Sequence, residues 1–189
     1  MIDDASESLS VAGVSSSDIA ALKRLSTKST PQELEDALLS FQIIDNTFLD
    51  YSNSWRAVKG TTPPSWNESA RQLRKISDMD DVDDIKAKVS SVSTFSKNAG
   101  KSLREVDPAV AAHAGKSSTF PSKYRKDPME FYRKQGEFYQ TKMPAIAKQL
   151  GDIRIAQLEQ QQKAQAKSAS SRSRTTTKDA QEDEFAAMF

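Results

Sequence analysis

The chain has 189 residues with 27 basic and 26 acidic side chains, so no whole-molecule field commits it to nucleic acid or to a membrane. It contains no cysteine and one histidine, which excludes disulfides, thiolate zinc sites, cysteine nucleophiles and histidine-rich metal sites. No apolar run approaches the roughly 18 residues of a membrane-spanning helix, and the start Met1-Ile2-Asp3-Asp4 lacks the basic and apolar regions of a signal peptide. A cytoplasmic, reducing location is expected.

The N-terminal third shows one strong helix start. Residues 1–16 are rich in Ser and Asp, which predicts a disordered arm, and Ser17 is expected to cap a short helix over 18–26. Thr30-Pro31-Gln32-Glu33 then combines a capping hydroxyl, a proline at the first helical position and a glutamate three residues after the cap. The apolar stripe that follows predicts a helix over 31–59, with Gly60 as its C-terminal stop.

Two further long helices are predicted. A capping box at Ser65-Trp66-Asn67-Glu68 opens a helix over 66–105, which is expected to break near 78–81 among closely spaced aspartates. Asp107-Pro108 starts a short Ala-rich turn that ends at Gly115. Asp127-Pro128-Met129-Glu130 opens a helix over 128–167, which Pro144 is expected to kink or interrupt. From residue 168 the chain is a polar spacer, and no stretch has the period-two alternation of a strand.

These elements predict an all-α protein: an elongated antiparallel bundle of three long helices, kinked or broken at 60–65, 78–81 and 144. The bundle domain is predicted over 17–167, with a flexible Ser/Lys/Arg-rich tail over 168–189. The long, narrow apolar stripes need more partner surface than one copy supplies, which predicts a homo-oligomer, most simply a dimer. Three long helices with a basic patch resemble the general shape of membrane-binding bundles of the BAR type, although no residue motif identifies that family.

No catalytic, cofactor or metal site is predicted. His113 lies near the end of a short helix, where it is expected to satisfy the last carbonyl groups, and no nucleophile or orienting carboxylate is nominated for it. The aspartates from Asp78 to Asp84 lack the glycine and the terminal glutamate of a calcium-binding EF-hand loop. Trp55 and Trp66 are expected to form a hydrophobic clasp across the turn at 60–64.

A basic segment is the first candidate site. The residues predicted to bind an anionic surface are Lys116, Lys123, Arg125, Lys126, Arg133 and Lys134. Such a segment can lie on anionic lipid headgroups or follow a nucleic-acid backbone. The aromatics interleaved with these cations either stack on bases or belong to the helix core; they are Phe120, Tyr124, Phe131 and Tyr132.

The C-terminal end is the second candidate site. The residues predicted to bind a partner protein are Glu182, Asp183, Glu184, Phe185, Met188 and Phe189. The stretch 184–188 is similar to the acidic-Phe-x-x-hydrophobic peptides that bind the appendage domains of clathrin adaptors. The acidic run before a final Phe also resembles the tails by which single-strand-binding proteins recruit replication partners. In either case the phenylalanines would enter an apolar groove while the carboxylates meet basic residues at its rim.

Together these observations predict a non-enzymatic helical scaffold or adaptor. It would self-associate, dock on an anionic membrane surface through the basic segment, and recruit a second protein by its tail. The alternative is a nucleic-acid-associated accessory or structural protein, cellular or viral, that uses the same basic segment to contact phosphate.

Overall fold

A computed structural model describes residues 5–63 and 73–186, with the backbone alone described for 42–48 and 170–186. The regular elements of these residues are all helical, which confirms the all-α class. The α-helices in this part of the chain are α1 (Ser6–Val11), α2 (Ser16–Arg24), α3 (Pro31–Leu39), α4 (Gln42–Lys59), α5 (Val82–Arg104), α6 (Pro108–Ala114), α7 (Pro128–Glu137) and α8 (Met143–Ala186). Short 3₁₀ turns lie at Lys75–Asp78 and Ser122–Tyr124, and a π-helical segment, Phe138–Lys142, joins α7 to α8.

The N-terminal region differs from the disordered arm predicted for residues 1–16. In its described part, α1 packs on the body of the protein and buries Leu9, with Val14 buried shortly after it. Ser15 rather than Ser17 caps α2, because its Oγ accepts the backbone N–H of Asp18 at 3.1 Å. The segment is rich in Ser, and its apolar side chains are widely spaced in the sequence. They nevertheless form one apolar face, which is buried against the rest of the bundle.

The helix predicted over 31–59 is divided into α3 and α4. Its predicted ends are confirmed: Thr30 and Glu33 form the reciprocal capping box, and Gly60 ends α4 in the left-handed conformation with φ 66°. The division falls at Ser40–Phe41, where the backbone N–H groups of both residues bond three residues back instead of four. This tightened turn places Phe41 in the core with no exposed surface.

The second predicted helix is described from residue 73 onward, so Trp66 and the predicted Trp55–Trp66 clasp lie outside the described residues. The break predicted at 78–81 is confirmed, because Met79 is extended between the 3₁₀ turn and α5. The Asp81 carboxylate caps α5 by accepting the N–H groups of Asp83 and Asp84, each at 2.9 Å. The crowded aspartates therefore start a helix, as their position near a positive helix end predicts.

The third helix is not broken at Pro144. Proline lacks an N–H donor, and its ring presses on the carbonyl group four residues earlier. The π-helical segment directly before it absorbs this conflict by a wider turn, in which the Met143 N–H bonds to the Phe138 carbonyl five residues back. The chain therefore stays helical from Pro128, where Asp127 caps α7, through to Ala186.

Helix α5 packs antiparallel against α7 and α8. Gly136 in α7 lies against Gly100 and Arg104 at the end of α5, whereas Gly151 in α8 lies against Val89 nearer its start. The apolar stripe of α5 is buried in this interface: Ile85, Val92, Ala99 and Leu103 are at most 2% exposed. The described residues thus form more helices than the three predicted, arranged around α5 and the continuous helical stretch of α7 and α8.

Helix α8 also holds the loops of the N-terminal half. Buried Arg154 donates from Nε to the Met79 carbonyl at 2.8 Å, and from Nη1 to Gln157 Oε1 at 3.4 Å. Gln157 Nε2 donates to the Ser29 carbonyl at 2.9 Å. Beyond Leu158 the side chains at 159–169 are exposed. The backbone of 168–186, for which a polar spacer is predicted, continues α8.

Candidate functional site

The segment between α6 and α7, with the first turns of α7, holds the cations predicted to bind an anionic surface. We call residues 116–134 the basic loop, after the six cations that this segment carries: Lys116, Lys123, Arg125, Lys126, Arg133 and Lys134. Five of them are exposed, and the Lys134 side chain is 37% exposed. The fold therefore leaves every one of these positive charges in contact with solvent.

The aromatics interleaved with the basic loop are buried. Phe120, Tyr124, Phe131 and Tyr132 are at most 6% exposed. Phe131 is the centre of the group, with ring centroids 4.9 Å from Phe120, 5.6 Å from Tyr124 and 5.3 Å from Tyr132. The idea that bases stack on these rings is therefore wrong, and the rings instead anchor the loop to the core.

The backbone of the loop is held by one of its own cations. Arg125 Nη2 donates to the carbonyl groups of Ser117 and Ser118, at 3.3 and 3.0 Å. Because both acceptors lie seven or eight residues earlier in the chain, this guanidinium closes the loop into a compact turn. Arg125 is consequently a structural residue of the loop as well as one of its charges.

The remaining cations differ in how far they are neutralised. Arg133 and Lys134 both pair with Glu130, at 3.5 and 3.6 Å. Among the described residues, no carboxylate lies within 4 Å of the ammonium groups of Lys116, Lys123 or Lys126. These three lysines are therefore the charges most available to an anionic partner.

Lys134 and Lys123 meet at the ring of Tyr124. Their ammonium nitrogens lie 5.8 and 5.4 Å from the ring centroid, within the range of cation–π attraction. The pKa of Lys134 is raised above its ordinary value, chiefly by Tyr124; desolvation, the next largest effect, opposes this rise, and the carboxylates of Glu130 and Glu7 add to it. Lys134 therefore stays protonated at neutral pH, and Glu7 of α1 contributes to the field that favours its charge.

The predicted partner-binding tail is described only in part. The backbone of residues 182–186 belongs to the end of α8, whereas Met188 and Phe189 lie outside the described residues. The side chains of Glu182, Asp183, Glu184 and Phe185 also lie outside the described part of the chain. Binding of a partner by this tail stays a prediction.

His113 has a partner that sequence reasoning missed. Its Nδ1 lies 3.1 Å from Ser54 Oγ on α4, so the imidazole bonds to a neighbouring helix and not, as expected, to the carbonyl groups of its own helix end. Ser54 is only 4% exposed, which leaves its hydroxyl little room to meet a substrate. Among the described ion pairs and hydrogen bonds, no carboxylate orients this imidazole. We assign the pair to the packing of α4 against α6.

The packing of α4 against α6 also includes an ion pair between two partly exposed side chains. Lys59 at the end of α4 pairs with Asp107, whose carboxylate also caps α6 by accepting the Ala109 N–H at 2.8 Å. The Lys59 hydrogen bond, followed by the bond from the Ala109 backbone, lowers the pKa of Asp107. Within the described part of the chain, no three His, Asp or Glu side chains converge on a possible metal position.

A second group of cations adjoins α7, and no local sequence pattern predicted a site there. Lys101 and Arg104, in the last turn of α5, lie beside Gln140 of the π-helical segment. They are separated from Gln140 by more than 35 residues, so the antiparallel packing of α5 brings these side chains together.

Comparison with known proteins gives no match: no protein-family model, no curated protein and no solved structure is significantly similar to this chain. None of the helices in 5–63 or 73–186 combines the length and apolar character that crossing a lipid bilayer requires.

Proposed function

We propose that this protein is a non-enzymatic helical scaffold or adaptor that docks on an anionic membrane surface through the basic loop. One observation carries the proposal: Lys116, Lys123 and Lys126 project from a loop that buried aromatics hold against the core. A loop held in this way presents its charges at a small entropic cost, because few backbone rotations are lost on binding. The cytoplasmic leaflet, which carries the anionic lipids, is the proposed location.

The energy of such docking is additive over a few charges. Each Lys or Arg near an anionic bilayer contributes about 1 kcal/mol, so the three unpaired lysines supply about 3 kcal/mol. The cations that share Glu130 contribute less, since their charge is already partly compensated. This strength is that of reversible peripheral binding, which suits an adaptor.

Nucleic-acid binding through the same loop is the alternative function. Single-strand binding proteins add base stacking on exposed aromatic rings to their phosphate contacts. The rings of the basic loop are buried, so only the phosphate contacts would remain. The lipid surface is favoured because it requires charge alone.

The variant Lys116→Glu/Lys123→Glu/Lys126→Glu is expected to bind phosphatidylserine-rich vesicles about 100-fold more weakly than the wild type, since three attractions of about 1 kcal/mol each are lost. Co-sedimentation over a range of lipid concentrations measures the effect. Arg125 is left unchanged because its guanidinium closes the loop.

The matched control reverses three exposed lysines elsewhere, Lys28, Lys97 and Lys163. Each triple variant changes the formal net charge from +1 to −5, since each Lys→Glu replacement subtracts two. Retained binding by the control places the effect in the basic loop. Equal weakening in both variants, or no vesicle binding by the wild type, refutes docking through this loop. Binding of a single-stranded oligonucleotide that falls steeply with salt would instead support the alternative function.

We also propose that the tail captures a second protein through Phe185 and Phe189. The support is the sequence pattern of aromatic residues beside a run of carboxylates. The variant Phe185→Ala/Phe189→Ala should bind vesicles as the wild type does but lose proteins that the wild type retains in a pull-down. An identical set of retained proteins would remove the tail from the proposal.

The proposed self-association has less support than the apolar stripes of the sequence indicated. The apolar stripe of α5 is covered within a single chain, so it does not require a second copy. The remaining support is a pair of large exposed apolar residues, Leu39 at 61% and Leu49 at 53%. We keep a dimer as a proposal, which a solution mass of 20.9 kDa by light scattering would contradict.

A further inference from the structure

A pocket of about 260 Å³ lies between the end of α5 and the π-helical segment. It is lined by Lys101, Arg104 and Glu105 from α5 and by Gln140 from the segment. Of these side chains, two are cations, one is an amide and one is a carboxylate. The pocket is outside the basic loop, and the proposed function makes no use of it.

The fold holds Arg104 in a defined place. A Cβ atom at Gly136 would lie only 2.5 Å from Arg104 Cγ, so the absence of a side chain there lets the Arg104 stem lie flat on α7. The guanidinium then donates from Nη1 to Gln140 Oε1 at 3.0 Å. Because the Gln140 carbonyl oxygen is occupied by this bond, its amide N–H groups remain as donors for the pocket.

The π-helical turn contributes to the same arrangement. By adding one residue to the turn, it changes the position of Gln140 relative to the preceding turn of α7, and such π-bulges are frequent at functional sites. Gln140 is thereby located where α7 and α5 cross, with its backbone nitrogen close enough to Gly100 that a Cβ atom there would lie 2.7 Å away. The pocket is thus built at a point where neither helix can move far without opening the interface.

We propose that this pocket binds a phosphate group of a phosphomonoester. The guanidinium offers its remaining N–H groups in a planar fork that matches two phosphate oxygens, and the Lys101 ammonium adds a point charge. The Gln140 amide supplies a neutral donor. Glu105 opposes binding, so the lining side chains together carry a net charge of one positive unit.

The chemistry is shared by a soluble phosphorylated molecule and by a phosphorylated lipid headgroup. The pocket does not require membrane docking through the basic loop, so each proposal can fail alone. Inorganic phosphate and inositol 1,4-bisphosphate are the soluble probes. Vesicles containing phosphatidylinositol 4-phosphate, compared with phosphatidylserine vesicles of equal charge, test the headgroup.

The experiment is an NMR titration of the ¹⁵N-labelled full chain with inositol 1,4-bisphosphate and, separately, with inorganic phosphate. Binding is monitored by the chemical shifts of the backbone amides. Saturable shifts are expected at residues 101–105 and 138–142. Arg104→Met keeps the aliphatic stem against Gly136 but removes the fork, and is expected to weaken binding by about tenfold or more. Glu105→Gln removes the opposing charge without touching the packing and is expected to strengthen binding severalfold.

Lys97→Met is the matched control, because Lys97 is an exposed lysine of the same helix that does not line the pocket. Its binding should equal that of the wild type. Shifts scattered over all lysines, or equal affinity in Arg104→Met and wild type, would overturn the proposal. If Arg104→Met also weakens binding to the phosphoinositide vesicles relative to phosphatidylserine, the phosphomonoester is a headgroup; if it weakens only the soluble probes, the ligand is a free molecule.

Discussion

Replacing Gly100 by alanine is expected to lower the free energy of unfolding by about 2 kcal/mol, although alanine is the better helix former by about 1 kcal/mol. The reason is the close crossing of α5 and α7. A Cβ atom at Gly100 would lie 2.6 Å from the Gly136 carbonyl oxygen and 2.7 Å from the Gln140 backbone nitrogen. Both contacts are with backbone, so the helices themselves must separate. Urea unfolding measures the loss.

Gly136→Ala tests the same crossing from the other side. Its Cβ atom would lie 2.8 Å from the Gly100 carbonyl oxygen, as well as against the Arg104 stem. A comparable loss is expected, and the double variant should lose less than the sum of the two single variants, because one separation of the helices relieves both contacts.

The control for this crossing is Asn98→Ala, at an exposed position of α5 two residues away. It should change the stability by no more than about 0.5 kcal/mol, and in the favourable direction. A neutral or stabilising effect of Gly100→Ala, or full additivity in the double variant, would show that the two backbones do not meet.

Arg154→Met is expected to lower the free energy of unfolding by about 2 kcal/mol, mainly because it leaves two acceptors without a donor in the interior. These are the Met79 carbonyl and Gln157 Oε1. Arg154 is only 8% exposed, so water cannot readily replace the guanidinium. Chemical denaturation gives the magnitude, and hydrogen exchange gives the location.

The location separates a local clamp from a general loss of packing. A mobile Gln157 side chain should also weaken its hydrogen bond to the Ser29 carbonyl. Amide hydrogen exchange is therefore expected to rise first between α2 and α3 and around Met79. Lys148→Met, which removes a largely exposed charge from the same helix, should stay within about 0.5 kcal/mol of the wild type. Uniform loss of protection in Arg154→Met, or no loss of stability, contradicts a clamp at this position.

The proposed docking depends on which charges of the basic loop the core leaves free. Six cations are close together in the sequence, yet Arg125 closes the loop and two others share Glu130. The burial of the aromatic rings shows that they pack in the core and do not stack on bases. Their spacing in the sequence could not distinguish these two roles, because exposed rings and core rings occur at the same helical intervals.

Local signals determined the ends of helices. Thr30 with Glu33 and Asp127 are recognisable as caps, and Gly60 as a stop, because a cap needs only residues within one turn of itself. The all-α class also followed from the sequence, since helical periodicity is a property of each segment alone.

The tertiary structure decided what depends on distant residues. The division at Ser40–Phe41, the burial of Leu9 and the accommodation of Pro144 by a π turn arise where packing overrides a continuous local pattern. The crossing of Gly100 and Gly136, and with it the pocket at Arg104, requires two helices to meet that are not consecutive in the chain. Hydrogen bonds within one turn can be read from neighbouring residues, whereas the close approach of two backbones is set by the volume of all the side chains between them.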